Sequence, residues 1–272
     1  MDIKACIYTD VGTKKNVNQD STMIKVARTE SGNRIALAVL CDGMGGLSSG
    51  EVASAAFTRR MEKWFYEELP DLLSEKNQTR ELNGEERNRK SIWELVRSNW
   101  YSITQEMNIN ISDYGRKRNI VLGTTAIILM IVENEFMIMN VGDSRAYMND
   151  NTNLYQITHD HSLVQQLVDR GQIKRNQAKN SKDKSVLLQC VGASEIVKPD
   201  FFKGQIGVDT MFILCSDGFW RRIEDNELLA GTRPLICCND EIMECNLKGM
   251  SELVKRRGEE DNISVMTLKC SN

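Results

Sequence analysis

Short apolar runs that stop abruptly at polar turns alternate along this chain with longer stretches in which apolar residues recur every three or four positions. Residues 5–8, 22–26 and 34–41 predict three strands, and the third is so nearly continuous in apolar character that it belongs at the centre of a sheet. From residue 51 the period becomes helical. Ala53, Phe57, Met61, Trp64 and Phe65 share one face running to about residue 69, and Ile92, Leu95, Val96, Trp100, Ile103 and Met107 repeat the pattern. Residues 74–90 between them are charged and polar, and read as a surface loop.

Residues 126–132, 136–141, 145–148 and 154–157 predict a meander whose first turn is Glu133-Asn134-Glu135. Strands joined by such tight turns pair antiparallel. A helix over 162–170 follows, stopped by Gly171, and then a lysine-rich irregular segment to residue 184. Strands return at 211–215 and 263–268, with a helix over 240–256 between them. At 272 residues, without a long Pro/Gly/Ser linker, the chain is expected to form one domain, 1–272.

Charge and cysteine usage narrow the classes. A net charge of -3 argues against a nucleic-acid surface. The longest apolar run, 126–132, is far too short to span a bilayer, and the N-terminal Met1-Asp2-Ile3-Lys4-Ala5-Cys6 enters an apolar stretch directly, so a cytoplasmic protein is expected. Eight cysteines show no CxxC or zinc spacing, and Cys41 and Cys215 lie inside strand-like runs, which suits reduced, buried thiols.

The chemistry gathers on four aspartates, each beside an apolar run and each in its own motif. They are Asp20 in Asn18-Gln19-Asp20, Asp42 in Asp42-Gly43-Met44-Gly45-Gly46, Asp217 in Ser216-Asp217-Gly218, and Asp261 in Asp261-Asn262. Read as strand-end carboxylates, they can meet at one point once strands pair, and a cation would relieve their repulsion. Carboxylate oxygens and glycine-rich backbone suit hard ions such as Mg2+ or Mn2+, and there is no clustered His/Cys set for zinc. Two ions about 3.5–4 Å apart can share a bridging water and clamp the oxygens of an in-line phosphoryl displacement.

Any one of these aspartates alone reads as a turn residue. The set occurs in one order with Gly123-Thr124-Thr125-Ala126, Val141-Gly142-Asp143-Ser144-Arg145-Ala146-Tyr147 and Thr158-His159-Asp160-His161-Ser162. In this the chain resembles the metal-dependent protein phosphatases of type 2C, particularly their compact bacterial members, from Asp10-Val11-Gly12 to Asp261-Asn262-Ile263-Ser264-Val265. The resemblance implies an α+β fold, a four-layer α-β-β-α sandwich with two central antiparallel sheets flanked by helices. It implies a serine/threonine protein phosphatase in which Asp20, Asp42, the Gly43 carbonyl, Asp217 and Asp261 hold two Mn2+ or Mg2+ ions. Its partners would be phosphoserine and phosphothreonine proteins, the substrates of a bacterial-type kinase.

Several positions depart from the family pattern. Lys15 stands where the family commonly has an arginine that forks onto the substrate phosphate, and it is expected to bind phosphate as a point charge. Met44 stands where some members place a histidine that protonates the leaving alkoxide. The two histidines, His159 and His161, belong to a motif that implies a structural turn. A further metal, which many members bind just upstream of the Gly-Thr-Thr segment, faces Arg116-Lys117-Arg118-Asn119-Ile120 here; Asp113 is the nearest acid, and Arg221 replaces an acid that some relatives keep. Residues 172–184, with Lys174, Arg175, Lys179, Lys182 and Lys184, match a flap beside the active site, a subdomain spanning about 172–190. Two rivals remain: a catalytically weak phosphoprotein-binding module of the same fold, and a metal-dependent nuclease or nucleotide hydrolase, disfavoured by the acidic balance.

Overall fold

The computed structural model describes residues 1–29, 32–44, 49–74, 91–174, 177 and 181–271. Two antiparallel sheets form its centre. One carries β1 (Asp2–Asp10), β11 (Ile263–Ser271), β10 (Thr210–Cys215), β7 (Arg145–Asn149) and β8 (Leu154–Gln156), in that order. The other runs β2 (Asp20–Arg28), β3 (Arg34–Met44), β5 (Ala126–Val132), β6 (Glu135–Val141) and β9 (Asp200–Gln205), with the two-residue β4 (Gly123–Thr124) paired to the end of β3.

Alternation along the strands sorts the side chains into two faces. Ala36, Ala38 and Leu40 of β3, with Ile127, Leu129 and Ile131 of β5, meet Phe212, Leu214, Met266 and Leu268 across the gap between the sheets, where Phe136 and Phe212 pack edge to face at 4.9 Å. The opposite faces are apolar too, so each sheet must be covered by helices. Leu37, Val39 and Cys41 lie under α1 (Gly50–Lys63) and α3 (Ile92–Arg118), where Phe57, Met61, Trp64 and Trp100 are fully buried. Ile213, Cys215 and Val265 lie under α6 (Asp225–Gly231) and α7 (Asp240–Arg256) through Leu228, Met243, Leu247 and Val254. Each such side chain is worth about 1.5–3 kcal/mol of burial. The resulting layers are helix, sheet, sheet, helix, as the resemblance implied.

Several boundaries differ from the sequence reading. The helix expected to reach residue 69 stops as an α-helix at Lys63, passes through a π-helical turn, Trp64–Glu68, and resumes as α2 (Leu69–Leu73). Pro70 has no N–H with which to continue the α ladder, and the Leu69 N–H reaches back to the Trp64 carbonyl instead. The second helix continues past Met107 to Arg118 and is closed by Asn119 in the left-handed region. Strand β9 and the short helices α5 (Asp217–Trp220) and α6 were not foreseen. α4 (Leu163–Asp169) is capped by Ser162, which accepts from the Gln165 N–H. All eight cysteines are free thiols, as expected. The expected loop at 74–90 lies outside the described residues from 75 onward, as do Gly45, Gly46, Arg175 and Lys179. Among the described residues no helix is long and apolar enough to cross a membrane.

Candidate metal centre

The four aspartates converge where the ends of the two sheets meet. Asp20 opens β2 and stands directly across the ladder from Asp42, which lies inside β3 rather than beside its end. Asp217 begins α5 immediately after β10, and Asp261 precedes β11. One sheet therefore carries two of the carboxylates on its strands, and the other two flank strand ends of the second sheet. Asp42, Gly43, Asp217 and Asp261 line a cavity of about 180 Å3, together with Lys15, Gln19, Asp143, Arg221, Ser185 and Leu187. Asp20 is not on that wall, and both of its side-chain oxygens are shielded from solvent without a hydrogen-bond partner. Asp217 Oδ1 shares that condition.

The motifs around these acids are the parts that hold them. The Asp42 carbonyl accepts from the Thr125 N–H at 2.9 Å and the Thr124 hydroxyl at 3.0 Å, while its own N–H donates to Thr125 Oγ1 at 2.9 Å. Ser144 backs Thr125 at 2.8 Å. Asn262 stitches Asp261 to the loop before β2: its Oδ1 accepts from the Gln19 N–H at 2.9 Å and its Nδ2 donates to the carbonyls of Val11 and Val17. Glycine is required where the chain passes closest. A Cβ on Gly218 would strike the Asn262 carbonyl, and one on Gly43 would strike the Gly50 carbonyl.

Electrostatically the site carries more negative charge than its own cations neutralise. Burial, and then the charges of Asp217 and Asp261, push Asp20 up to about 7; the Ser264 and Ser216 hydroxyls lie close enough to favour its charged form but make no hydrogen bond to it. Burial and then Asp20 and Asp217 raise Asp42 well above the carboxylate range, and burial raises Asp217 despite Arg221. Two side-chain cations lean in. Lys15 Nζ lies 3.0 Å from Asp261 Oδ1, and Arg221 Nη2 lies 2.5 Å from Asp217 Oδ2. Partial burial opposes the Lys15 charge, but the bond to Asp261 outweighs it and raises the ammonium above its ordinary value.

Among the described residues no three His, Cys, Asp or Glu side chains are preset around one point as a closed cage. A closed cage is not what a hard dication needs, because Mg2+ keeps several waters and uses one or two carboxylates. The orphaned oxygens of Asp20 and Asp217 are the donors that fit such an ion. They are buried and unsatisfied, and ionising them there without a cation costs several kcal/mol per group.

His159 and His161 stay off the cavity wall. His161 accepts from the Gly142 N–H and pairs with Asp200, and His159 pairs with Asp169. Asp113 pairs with Arg116 on α3 and does not line the cavity. The sequence reading missed Asp143, a buried acid on the wall that burial and Asp217 push up to about 8. Its place in Gly142-Asp143-Ser144 was the available signal. It also missed Asn262, whose position beside Asp261 was equally visible.

The Protein phosphatase 2C family model matches residues 27–167, just over half the chain. The serine/threonine phosphatase stp of Listeria welshimeri is 30% identical over 220 residues, covering 81% of this chain and 79% of that one. The protein phosphatase PhpP of Streptococcus pneumoniae is 28% identical over 225 residues, covering 82% and 81%. The serine/threonine phosphatase Stp1 of Staphylococcus aureus superposes with a TM-score of 0.74 at 26% identity, covering 100% of this chain and 96% of that one. The catalytic domain of a phosphatase named PstP, solved with two manganese ions, shares the fold with a TM-score of 0.72 at 24% identity and 99% coverage of each chain. This chain belongs to the protein phosphatase 2C family and is a protein serine/threonine phosphatase.

Proposed function

We propose that this enzyme hydrolyses phosphoserine and phosphothreonine in proteins with two Mn2+ or Mg2+ ions held by Asp20, Asp42, the Gly43 carbonyl, Asp217 and Asp261. The observation that carries the reading is the pair of buried, unpartnered Asp20 oxygens directly across the strand ladder from Asp42. The two manganese ions of the PstP neighbour support it. Bound at these carboxylates, the ions supply Lewis-acid charge and an activated water at neutral pH.

The chain's own residues supply the rest. Lys15, half exposed at the cavity mouth, exchanges its bond to Asp261 for the incoming phosphate and neutralises part of its charge. No histidine lines the cavity, so none of the imidazoles protonates the leaving serine or threonine oxygen. Ser185 and Leu187 bring the end of the 172–190 segment to the wall, which supports its role as a flap on a single catalytic domain spanning 1–272. Lys182 is exposed there, where it favours phosphorylated segments with acidic neighbours. Eight free thiols suit a reducing cytoplasm, where the substrates would be the products of a bacterial-type serine/threonine kinase.

The test is phosphate release from a phosphothreonine peptide by purified protein with Mn2+, with Mg2+ and with chelator, beside Asp42→Asn and Asp217→Asn. The reading expects metal-dependent release, lost by at least a hundredfold in both variants. Release that persists in chelator, or in either variant, overturns it.

A further inference from the structure

Arg221 is an unusual neighbour for a metal centre. It follows the last residue of α5, and its side chain is only 11% exposed. From there Nη2 lies 2.5 Å from Asp217 Oδ2, 3.5 Å from Asp143 Oδ2 and 3.1 Å from the Lys184 carbonyl. Asp143 is held in place for this contact, because Trp220 Nε1 donates to its carbonyl at 2.9 Å. Trp220 is in turn stacked by Arg145, whose guanidinium carbon sits 3.4 Å from the ring centroid and which grips Asp160 through Nε and Nη2. The guanidinium therefore rests against a rigid support, not on a mobile surface.

The two oxygens of Asp217 are divided by this arrangement. Oδ2 is taken by Arg221, and Oδ1 is buried without a partner. We propose that Arg221 is a positioning residue of the metal centre, a tethered counter-ion that holds Asp217 by Oδ2, leaves Oδ1 to the metal, and keeps a further dication out of the space between Asp217 and Asp143. The inference rests on the two-ion reading above. Two carboxylates facing one another at this depth require a positive charge between them, and a covalently attached one needs no ion from solution. The same guanidinium, through the Lys184 carbonyl, ties the end of the flap to the ligand it positions.

The experiment counts bound Mn2+ on the full chain by electron paramagnetic resonance of the free ion, for wild type, Asp42→Asn, Arg221→Ala, Arg221→Lys, and Arg221→Ala combined with Asp143→Asn. Circular dichroism first establishes that each variant is folded. Wild type is expected to bind two ions. Arg221→Ala should gain one more, weakly held, and the added Asp143→Asn should abolish the gain. Arg221→Lys, which keeps the charge, should stay at two. A folded Arg221→Ala that binds two ions at every Mn2+ concentration overturns the proposal, as does a gain that survives Asp143→Asn. If Arg221→Ala does not fold, Arg221→Gln takes its place and must show the same gain. Wild type that binds no more Mn2+ than Asp42→Asn instead sinks the two-ion reading, so the two failures are distinguishable.

Discussion

Replacing Asp20 by asparagine should make the metal-free protein more stable while destroying its response to metal. Both Asp20 oxygens are buried without a partner, and the carboxyl rises from its ordinary 3.8 to about 7. At about 1.4 kcal/mol per tenfold change in proton affinity, ionised Asp20 costs the fold at most about 4 kcal/mol. An asparagine amide in the same place leaves buried polar atoms worth about 1–3 kcal/mol, so a net gain of roughly 1–3 kcal/mol remains. The sign follows from proton counting. Between pH 4 and 7 the native state holds a proton that the unfolded chain has lost, so metal-free wild type loses stability as pH rises through this window. The cost is complete above about pH 7 and nearly absent near pH 4. Urea denaturation in chelator should therefore place Asp20→Asn above wild type at pH 8, with the gap closing toward pH 4.5. Mn2+ at a hundredfold excess over its dissociation constant should then add about 2.7 kcal/mol per bound ion to wild type and far less to the variant. A variant no more stable than wild type at pH 8, or a gap that does not change with pH, would show that ionised Asp20 does not burden the metal-free fold.

Two further outcomes follow from the same geometry. Gly12 sits at φ +80° with no room for a Cβ against the Asp261 carbonyl, whereas Gly171, at φ +68°, has open space around it. Gly12→Ala should cost more than about 2 kcal/mol by urea denaturation and weaken Mn2+ binding, while Gly171→Ala costs about 1 kcal/mol and leaves binding alone; equal costs would show that the packing against Asp261 is unimportant. Lys15→Ala should raise KM for a phosphopeptide several-fold with a stability change under about 1 kcal/mol, because its ion pair is solvated, and Lys15→Arg should restore KM. An unchanged KM in the alanine variant would remove Lys15 from the phosphate site.

The helix-sheet-sheet-helix order and the convergence of four aspartates were legible because both rest on local signals: strand-length apolar runs, helical periodicity, and short Asp-Gly and Asp-Asn motifs. What was not legible depends on register and on long-range packing. That Asp20 faces Asp42 is a property of how β2 pairs with β3, which no single segment encodes. Strand β9 was missed because Asp200–Gln205 mixes charge and glycine with its two phenylalanines, as an edge strand with one partner tolerates. The π-helical turn followed from Pro70, whose effect is visible only when the backbone ladder is drawn. Arg221 was noticed as a substitution for an acid, but its hold on both Asp217 and Asp143 required the turn of α5 that puts it back over the first of them.

The order of strands in the first sheet has a consequence during synthesis. Among the described residues β1 pairs with β11 alone, and β10 reaches β1 through β11. A ribosome that has released everything up to residue 256 has therefore delivered three of the four aspartates but no complete sheet on which Asp217 and Asp261 can face Asp20 and Asp42. The growing chain stays harmless to phosphoproteins until β11 slides between β1 and β10, so the erasure of signals waits on a strand made more than 200 residues after the first two aspartates.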